Sequence, residues 1–177
     1  ALAEDGARYV NFVMGLGDDL ADSSATRDAL SGGQGDDTLF GHDGNDLLNG
    51  ADGDDHLFGG AGGDRLIGRA GDDVLIGGAG PDRLHGGDGN DVLRADGGLG
   101  RLLGGDGSDA FVFTLPQSGI QPDGPVLDVI LDFEQGTDFL WFGPTDNASY
   151  AAAEAFALFT EHASQIKSHV IVEQGDF

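Results

Sequence analysis

Aspartate recurs every nine residues through the middle of the sequence, and carboxylates at a fixed spacing could bind cations. The stretch from Met14 to Val112 divides into eleven units of nine residues, each close to Gly-Gly-x-Gly-x-Asp-x-apolar-x. The sixth position is aspartate in ten of the eleven units, and the tenth unit has Gly100 there instead. A fixed period this short indicates a repeat architecture, in which equivalent side chains stack on one another.

The eighth position of each unit shows what could hold such a stack together. It is occupied by Ala21, Leu30, Leu39, Leu48, Leu57, Leu66, Leu75, Leu84, Leu93, Leu102 and Phe111. The glycines at positions one, two and four permit positive φ angles, and the x-Leu-x triplet is long enough for one short strand. Two units then make one coil of 18 residues, in which two parallel strands face each other across stacked leucines. The sequence predicts an all-β fold, a right-handed parallel β-roll.

Because one coil takes two units, the aspartates fall into two rows along the edges of the roll. The first edge carries Asp19, Asp37, Asp55, Asp73, Asp91 and Asp109; the second edge carries Asp28, Asp46, Asp64 and Asp82 and breaks at Gly100. Neighbouring carboxylates about 5 Å apart repel by roughly 1 kcal/mol even in bulk water. Calcium between them reverses that sign and accepts carbonyl and carboxylate oxygens in flexible geometry, whereas magnesium demands a stricter octahedron. The sequence predicts calcium; the competing interpretation is that the aspartates only cap turns.

The composition agrees with a cation-binding chain. The 177 residues include 32 acidic and 8 basic side chains, a formal net charge of -24, 33 glycines and no cysteine. Such a charge argues against nucleic acid and against contact with an anionic membrane, because both would be repelled. The lack of cysteine excludes disulfides and thiolate metal sites, and no apolar run is long enough to predict a membrane span. The start ALAEDGARYV has neither Met nor a signal-peptide pattern, so we expect a piece of a longer protein.

Three segments follow from the repeat boundaries. Residues 1–13 are either a lead-in strand or a linker, residues 14–112 form the roll, and residues 113–177 form a small mixed β/α cap that closes it. A helix is expected near Ser149 to Ala163, with an apolar stripe at helical spacing. No catalytic motif is present, so we expect this chain not to be an enzyme, although a parent protein could be an enzyme or toxin. The five histidines share no spacing and are expected on the surface.

The units GGQGDDTLF, GGAGGDRLI, GGAGPDRLH and GGDGNDVLR resemble the RTX family, the glycine- and aspartate-rich calcium repeats of secreted bacterial proteins. The resemblance covers Met14 to Val112, and GSDAFVF followed by DVILDFEQGTDFL is similar to the segment that closes the roll in serralysin-type proteases. It implies a secreted, extracellular or cell-surface protein that leaves through a type I secretion channel. The chain would stay disordered in the cell, where calcium is scarce, and fold on binding calcium outside.

The resemblance also implies a ligand set. Each ion would lie between two turns one coil apart and take both aspartates, the carbonyls of positions two and four of one turn, and those of positions one and three of the next. Carried over to this chain, the carbonyl donors are Gly15, Gly17, Gly32, Gly33, Gln34, Gly35, His42, Gly44, Gly50, Ala51, Asp52, Gly53, Gly59, Gly60, Ala61, Gly62, Gly68, Arg69, Ala70, Gly71, Gly77, Ala79, Gly86, Gly87, Asp88, Gly89, Gly104 and Asp106. His42 and Arg69 should not harm a site, because the backbone oxygen is the ligand. We expect five ions along the first edge and two along the second, whose two ends are incomplete.

Other groups of residues leave alternatives open. Asp128, Asp132, Glu134 and Asp138 could form one more calcium site, or could be ordinary turn and cap residues. Phe40, Phe58 and Ile76, at position nine, should form an outward ladder continued by Arg94 and Val112, which either mediates an interaction or is covered by the C-terminal segment or a neighbouring domain. Trp141 could be a sugar platform or part of the core.

A second function is a polysaccharide- or partner-binding accessory module, similar to the repeat modules of alginate epimerases. A basic groove for an anionic sugar would need Arg65, Arg83, Arg94 and Arg101 to cluster, because the chain has few other basic residues.

Overall fold

The computed structural model describes residues 11–114, 128–143 and 170–172, and all regular structure in these residues is β. The strands alternate between two parallel sheets, which we call the odd and even sheets. The odd sheet contains β1 (Asn11–Val13), β3 (Ala29–Gln34), β5 (Leu47–Asp52), β7 (Arg65–Ala70), β9 (Arg83–Asp88), β11 (Arg101–Asp106), β13 (Asp128–Ile130) and β15 (Val170–Val172). The even sheet contains β2 (Leu20–Asp22), β4 (Thr38–Asp43), β6 (His56–Ala61), β8 (Val74–Ala79), β10 (Val92–Asp96), β12 (Ala110–Thr114) and β14 (Phe139–Gly143).

The register follows the coil length. Leu48 pairs with Leu66, and Leu57 with Leu75, so each residue lies beside the one 18 positions later. Alternate strands belong to opposite sheets, so every two units complete one coil. The predicted parallel β-roll is confirmed.

The core consists of two facing columns of side chains, one from each sheet. The eighth-position leucines from Leu30 to Leu102, and Phe111, are at most 2 % exposed. Burying one such side chain contributes roughly 1.5–3 kcal/mol. Because each strand adds only one large side chain to the core, each coil is stabilised mainly by its two neighbours.

The strands are longer than predicted. Most have five or six residues and run from position seven of one unit to position three of the next, which leaves three-residue turns. The expectation of triplet strands was wrong because the glycines at positions one and two stay in the ladder. Position two has positive φ even where it is not glycine, at Ala51 (99°) and Arg69 (97°) for example, while position one does not.

Both sheets continue beyond the repeats. β1 adds a lead-in strand beside β3, and β13, β14 and β15 extend the roll past Val112. The expected helix near Ser149 to Ala163, and with it the mixed β/α character of the cap, lies outside the described residues. Within the described part of the chain, no helix has the length and apolarity needed to cross a membrane.

Candidate metal sites along the two edges

The turn aspartates form a hydrogen-bonded ladder along each edge. Where the next turn of the row also carries an aspartate, the N–H of one aspartate donates to Oδ1 of the aspartate one coil later, as from Asp55 to Asp73 (2.8 Å) on the first edge and from Asp46 to Asp64 (2.8 Å) on the second. The six other steps within the repeats have donor–acceptor distances of 2.7 to 2.9 Å. The ladders fix every carboxylate at the same place in its coil, so the two predicted rows exist.

The second oxygen of most of these carboxylates has no partner. Oδ2 is buried and accepts no hydrogen bond in Asp37, Asp46, Asp55, Asp64, Asp73, Asp82, Asp91 and Asp109. These eight residues are at most 2 % exposed. An ionised carboxylate buried with an unsatisfied oxygen is costly, and it needs either a proton or a cation.

The pKa values express the same cost. Burial, with smaller contributions from neighbouring carboxylates, raises the pKa of Asp73 and of Asp82 to about 7. It raises the pKa of Asp46, Asp55 and Asp91 to about 6, although the N–H donated to each carboxylate lowers it. Without a cation, part of the negative charge along the edges is therefore neutralised by protons near neutral pH.

Backbone carbonyls from two successive coils point into the gaps between the turns. At positions two and four they point forward: a Cβ on Gly60 would lie 2.0 Å from the His42 oxygen, and one on Gly62 would lie 1.4 Å from the Gly44 oxygen. At position one they point back, since a Cβ on Gly59 would lie 2.5 Å from the Gly77 oxygen. At position three they also point back, where the Ala61 oxygen accepts the Gly44 N–H at 2.8 Å. Carbonyls at all four positions are therefore oriented toward a neighbouring coil; that they bind an ion stays a prediction.

This donor set fits calcium. Within the described ranges no three His, Asp or Glu side chains converge, so a cation in a gap would take most of its oxygens from the main chain. A mixture of carbonyl and carboxylate oxygens suits calcium, whereas sites for transition metals favour imidazole or thiolate. The side chains of His42 and Arg69 bond elsewhere, to Asp22 and Asn49, so only their backbone lies at the turn.

Position one requires glycine for space rather than for φ. A Cβ at Gly32, Gly50 or Gly86 would lie 1.9 Å from Oδ2 of the aspartate in the same turn. The one repeat turn without this aspartate has the opposite arrangement. Ala95 replaces glycine there, is 1 % exposed, and has its Cβ 2.5 Å from where a Cβ on Gly100 would be. A methyl group therefore lies against the place that a carboxylate takes elsewhere.

The start of the second edge also departs from the pattern. Oδ2 of Asp28 accepts hydrogen bonds from the Ser24 N–H (3.1 Å) and hydroxyl (3.2 Å). Oδ2 of Asp19, at the start of the first edge, accepts the Gly15 N–H at 3.3 Å. These two terminal carboxylates accept hydrogen bonds from their own turns, unlike the eight aspartates that follow them in the two rows.

The four acidic residues after the repeats do not form one site. Asp138 accepts the Asp109 N–H (3.1 Å) and extends the first row, while Asp128 accepts the Gly100 N–H (2.8 Å) and extends the second. Asp132 accepts N–H groups of the adjoining odd-sheet strand, and Glu134 is exposed. The observed role of the three aspartates is the capping of turns and strands.

A second ladder was missed from the sequence. At position five of the first edge, the exposed carboxylates of Asp18, Asp36, Asp54 and Asp72 each accept an N–H from the following coil. The direction is opposite to that of the inner ladder. Aspartate at position five of alternate units was the available signal.

The arginines divide between the two faces. Arg65, Arg83 and Arg101 are exposed and stack in register on the odd sheet. Arg94 lies on the even sheet, where its Nε donates to Asp96 Oδ2 at 2.8 Å. Three of the four expected arginines therefore cluster.

Comparison with protein families agrees with this geometry. The model of the RTX calcium-binding nonapeptide repeat matches five overlapping segments, 15–48, 22–57, 31–66, 49–84 and 67–102. No match is found among curated proteins or solved structures. The family match ends at residue 102, so the similarity of the later segment to serralysin-type proteins stays a prediction. With coils of 18 residues, two carboxylate rows and inward-pointing carbonyls, the roll belongs to the RTX family of calcium-binding repeats.

Proposed function

We propose that this chain is a calcium-dependent folding module of a secreted bacterial protein. The observation that carries the proposal is the set of eight buried carboxylate oxygens without a partner. A divalent cation in each gap would satisfy these oxygens and remove the repulsion along the rows. In this proposal the chain supplies no catalytic group, and any activity belongs to another part of a parent protein.

The mechanism follows from linkage between binding and folding. The gaps exist only when successive coils are stacked, so the free energy of calcium binding becomes free energy of folding. In the cytoplasm, where calcium is scarce, a chain with a net charge of -24 would stay extended and could thread a type I secretion channel. Outside, calcium exceeds the affinity of typical extracellular sites, about 10⁻⁴ to 10⁻³ M, and the roll forms.

Circular dichroism during a calcium titration tests this proposal. In chelator the spectrum should be that of a disordered chain, and β signal should appear cooperatively as calcium is added. Asp55→Asn should raise the calcium midpoint several-fold, because Asp55 adjoins two gaps. Asp54→Asn is the matched control: it removes the same charge from the neighbouring exposed residue and keeps the oxygen that accepts the Asp72 N–H.

Two results would count against the proposal. One is a β spectrum of equal strength in chelator and in calcium near neutral pH. The other is an equal shift of the midpoint in the Asp54 and Asp55 variants, which would mean that only net charge matters.

The alternative function, an accessory module for an anionic polysaccharide, is supported by the column formed by Arg65, Arg83 and Arg101. Guanidinium groups about 4.8 Å apart could pair with successive carboxylates of a uronic-acid polymer. In calcium, the wild-type roll should bind alginate, and Arg83→Glu should weaken that binding at least tenfold. Isothermal titration calorimetry measures the dissociation constant of each variant. An equal loss of alginate binding in Arg83→Glu and in Arg94→Glu would contradict a role specific to this column.

A further inference from the structure

The outer face of the even sheet is a continuous apolar strip across seven parallel strands. Its outward residues at position seven are Leu20, Thr38, His56, Val74, Val92, Ala110 and Phe139, and those at position nine are Asp22, Phe40, Phe58, Ile76, Arg94, Val112 and Trp141. The rings of Phe40 and Phe58 stack with centroids 4.7 Å apart. Leu20 and Phe139, at the two ends, are 71 % and 58 % exposed. A contiguous apolar surface of this extent marks an interaction site.

The charged groups on this face lie in pairs. Arg94 forms an ion pair with Asp96, and the His42 imidazole contacts the Asp22 carboxylate, a contact that is an ion pair when the imidazole is protonated. On the outer face of the odd sheet, by contrast, the column that begins at Arg65 has no acidic partner within the described part of the chain. Pairing charges within one face lowers the cost of removing that face from water. The outer face of the even sheet is therefore less costly to remove from water than the outer face of the odd sheet.

We infer that the even sheet packs against the even sheet of a second copy of this chain. A two-fold axis parallel to the strands, passing over β8, places the two roll axes antiparallel and sets Val74 opposite itself. It sets Leu20 opposite the second copy's Phe139, so the two most exposed apolar side chains of the strip cover each other. It also sets Phe58 opposite the second copy's Arg94, which allows a cation–π contact.

The dimensions of the strip fit such a dimer. Seven strands about 4.8 Å apart and about 20 Å long give a face of roughly 600 Å² per copy, near the lower end for specific interfaces. Two sheets packed face to face lie about 10 Å apart, which the side chains of the strip can fill. Association requires the folded roll, because the strip forms only when the coils are stacked. The acidic edges of the two copies flank the interface and repel each other, so association strengthens as salt screens the edges.

Sedimentation velocity of the full chain in calcium tests the dimer over a series of protein concentrations. The wild type is expected to dimerise, and more tightly at higher salt. Phe58→Thr and Val74→Thr should each raise the dimer dissociation constant at least tenfold, because each removes apolar contact on both copies. Ile67→Thr is the matched control, since Ile67 occupies position nine on the outer face of the odd sheet and is equally half-buried.

A wild-type chain that is folded by circular dichroism but monomeric at all concentrations overturns the inference, and the strip is then covered by another part of this chain or by a different partner. An equal effect of Ile67→Thr and Val74→Thr also overturns it. Association that weakens with salt assigns the contact to the arginine column instead. A chain that shows no calcium-induced β signal contradicts the proposed function, so the two failures are distinguishable.

Discussion

In calcium-free buffer the roll is expected to gain β structure as the pH falls from about 8 to about 5. The folded-state pKa values of Asp73 and Asp82 are raised to about 7, and those of Asp46, Asp55 and Asp91 to about 6. In the unfolded chain an aspartate titrates near 3.9. The folded state therefore binds protons at a pH where the unfolded state does not, and acid stabilises it.

The sign is opposite to ordinary acid denaturation. The contribution of these carboxylates is fully present below the unfolded pKa and is lost as the pH rises through 6 to 7. Protons act here as weak substitutes for calcium at the buried Oδ2 atoms. The calcium concentration at the folding midpoint should therefore fall as the pH is lowered through the same range, because bound protons already stabilise the folded roll.

Far-UV circular dichroism in chelator at a series of pH values measures the effect. Asp73→Asn is the informative variant, because an amide cannot ionise and the variant should show more β structure than the wild type at pH 8. Asp72→Asn, at the exposed neighbour, is its control. Loss of β signal on acidification without calcium would contradict the burial of these carboxylates.

The pair Ala95→Gly with Gly100→Asp is expected to complete the broken row of the second edge. Gly100→Asp alone should destabilise the roll by about 1–3 kcal/mol, because its Cβ would lie 2.5 Å from the Ala95 Cβ and 2.8 Å from Asp128 Oδ1. Removing that methyl restores the glycine found at position one of the neighbouring units. The new carboxylate could then accept the Asp82 N–H, as each aspartate does elsewhere in the row.

Calcium titrations of the wild type, both single variants and the double variant measure this coupling. The double variant should have the lowest calcium midpoint and bind additional calcium in equilibrium dialysis. Ala95→Gly alone leaves a methyl-sized hole and should cost about 1 kcal/mol. If the double variant is no better than Gly100→Asp, the methyl group is not what excludes the carboxylate.

The repeat predicted the fold and the two aspartate rows because its period alone determines which residues stack. The length of the strands could not be read in the same way. Glycine usually indicates a turn, but here the glycines at positions one and two lie within the strands. Position one needs glycine because a Cβ there would meet the carboxylate of its own turn, as at Gly50. The requirement for glycine is steric and depends on a side chain five residues away.

The ends of the rows were also beyond the sequence pattern. Asp128 and Asp138 follow Gly100 and Asp109 by 28 and 29 residues instead of 18, so the nine-residue period does not identify them as successors. The capping of Asp28 by Ser24 replaces a glycine-rich turn with hydroxyl chemistry. Both depend on how the chain enters and leaves the roll, which a repeat does not encode.

The inner ladder gives the roll two chemically different ends. Each coil donates an N–H toward the C-terminal side and offers a carboxylate toward the N-terminal side, so a cut stack would leave bare donors at one end and bare acceptors at the other. Asp128 and Asp138 close the donor end, and the Gly15 and Ser24 N–H groups close the acceptor end. Both closures are independent of how many coils lie between them. The array can therefore lengthen or shorten by 18 residues without disturbing either end, whereas a change of nine would move every later unit to the other edge and the other sheet.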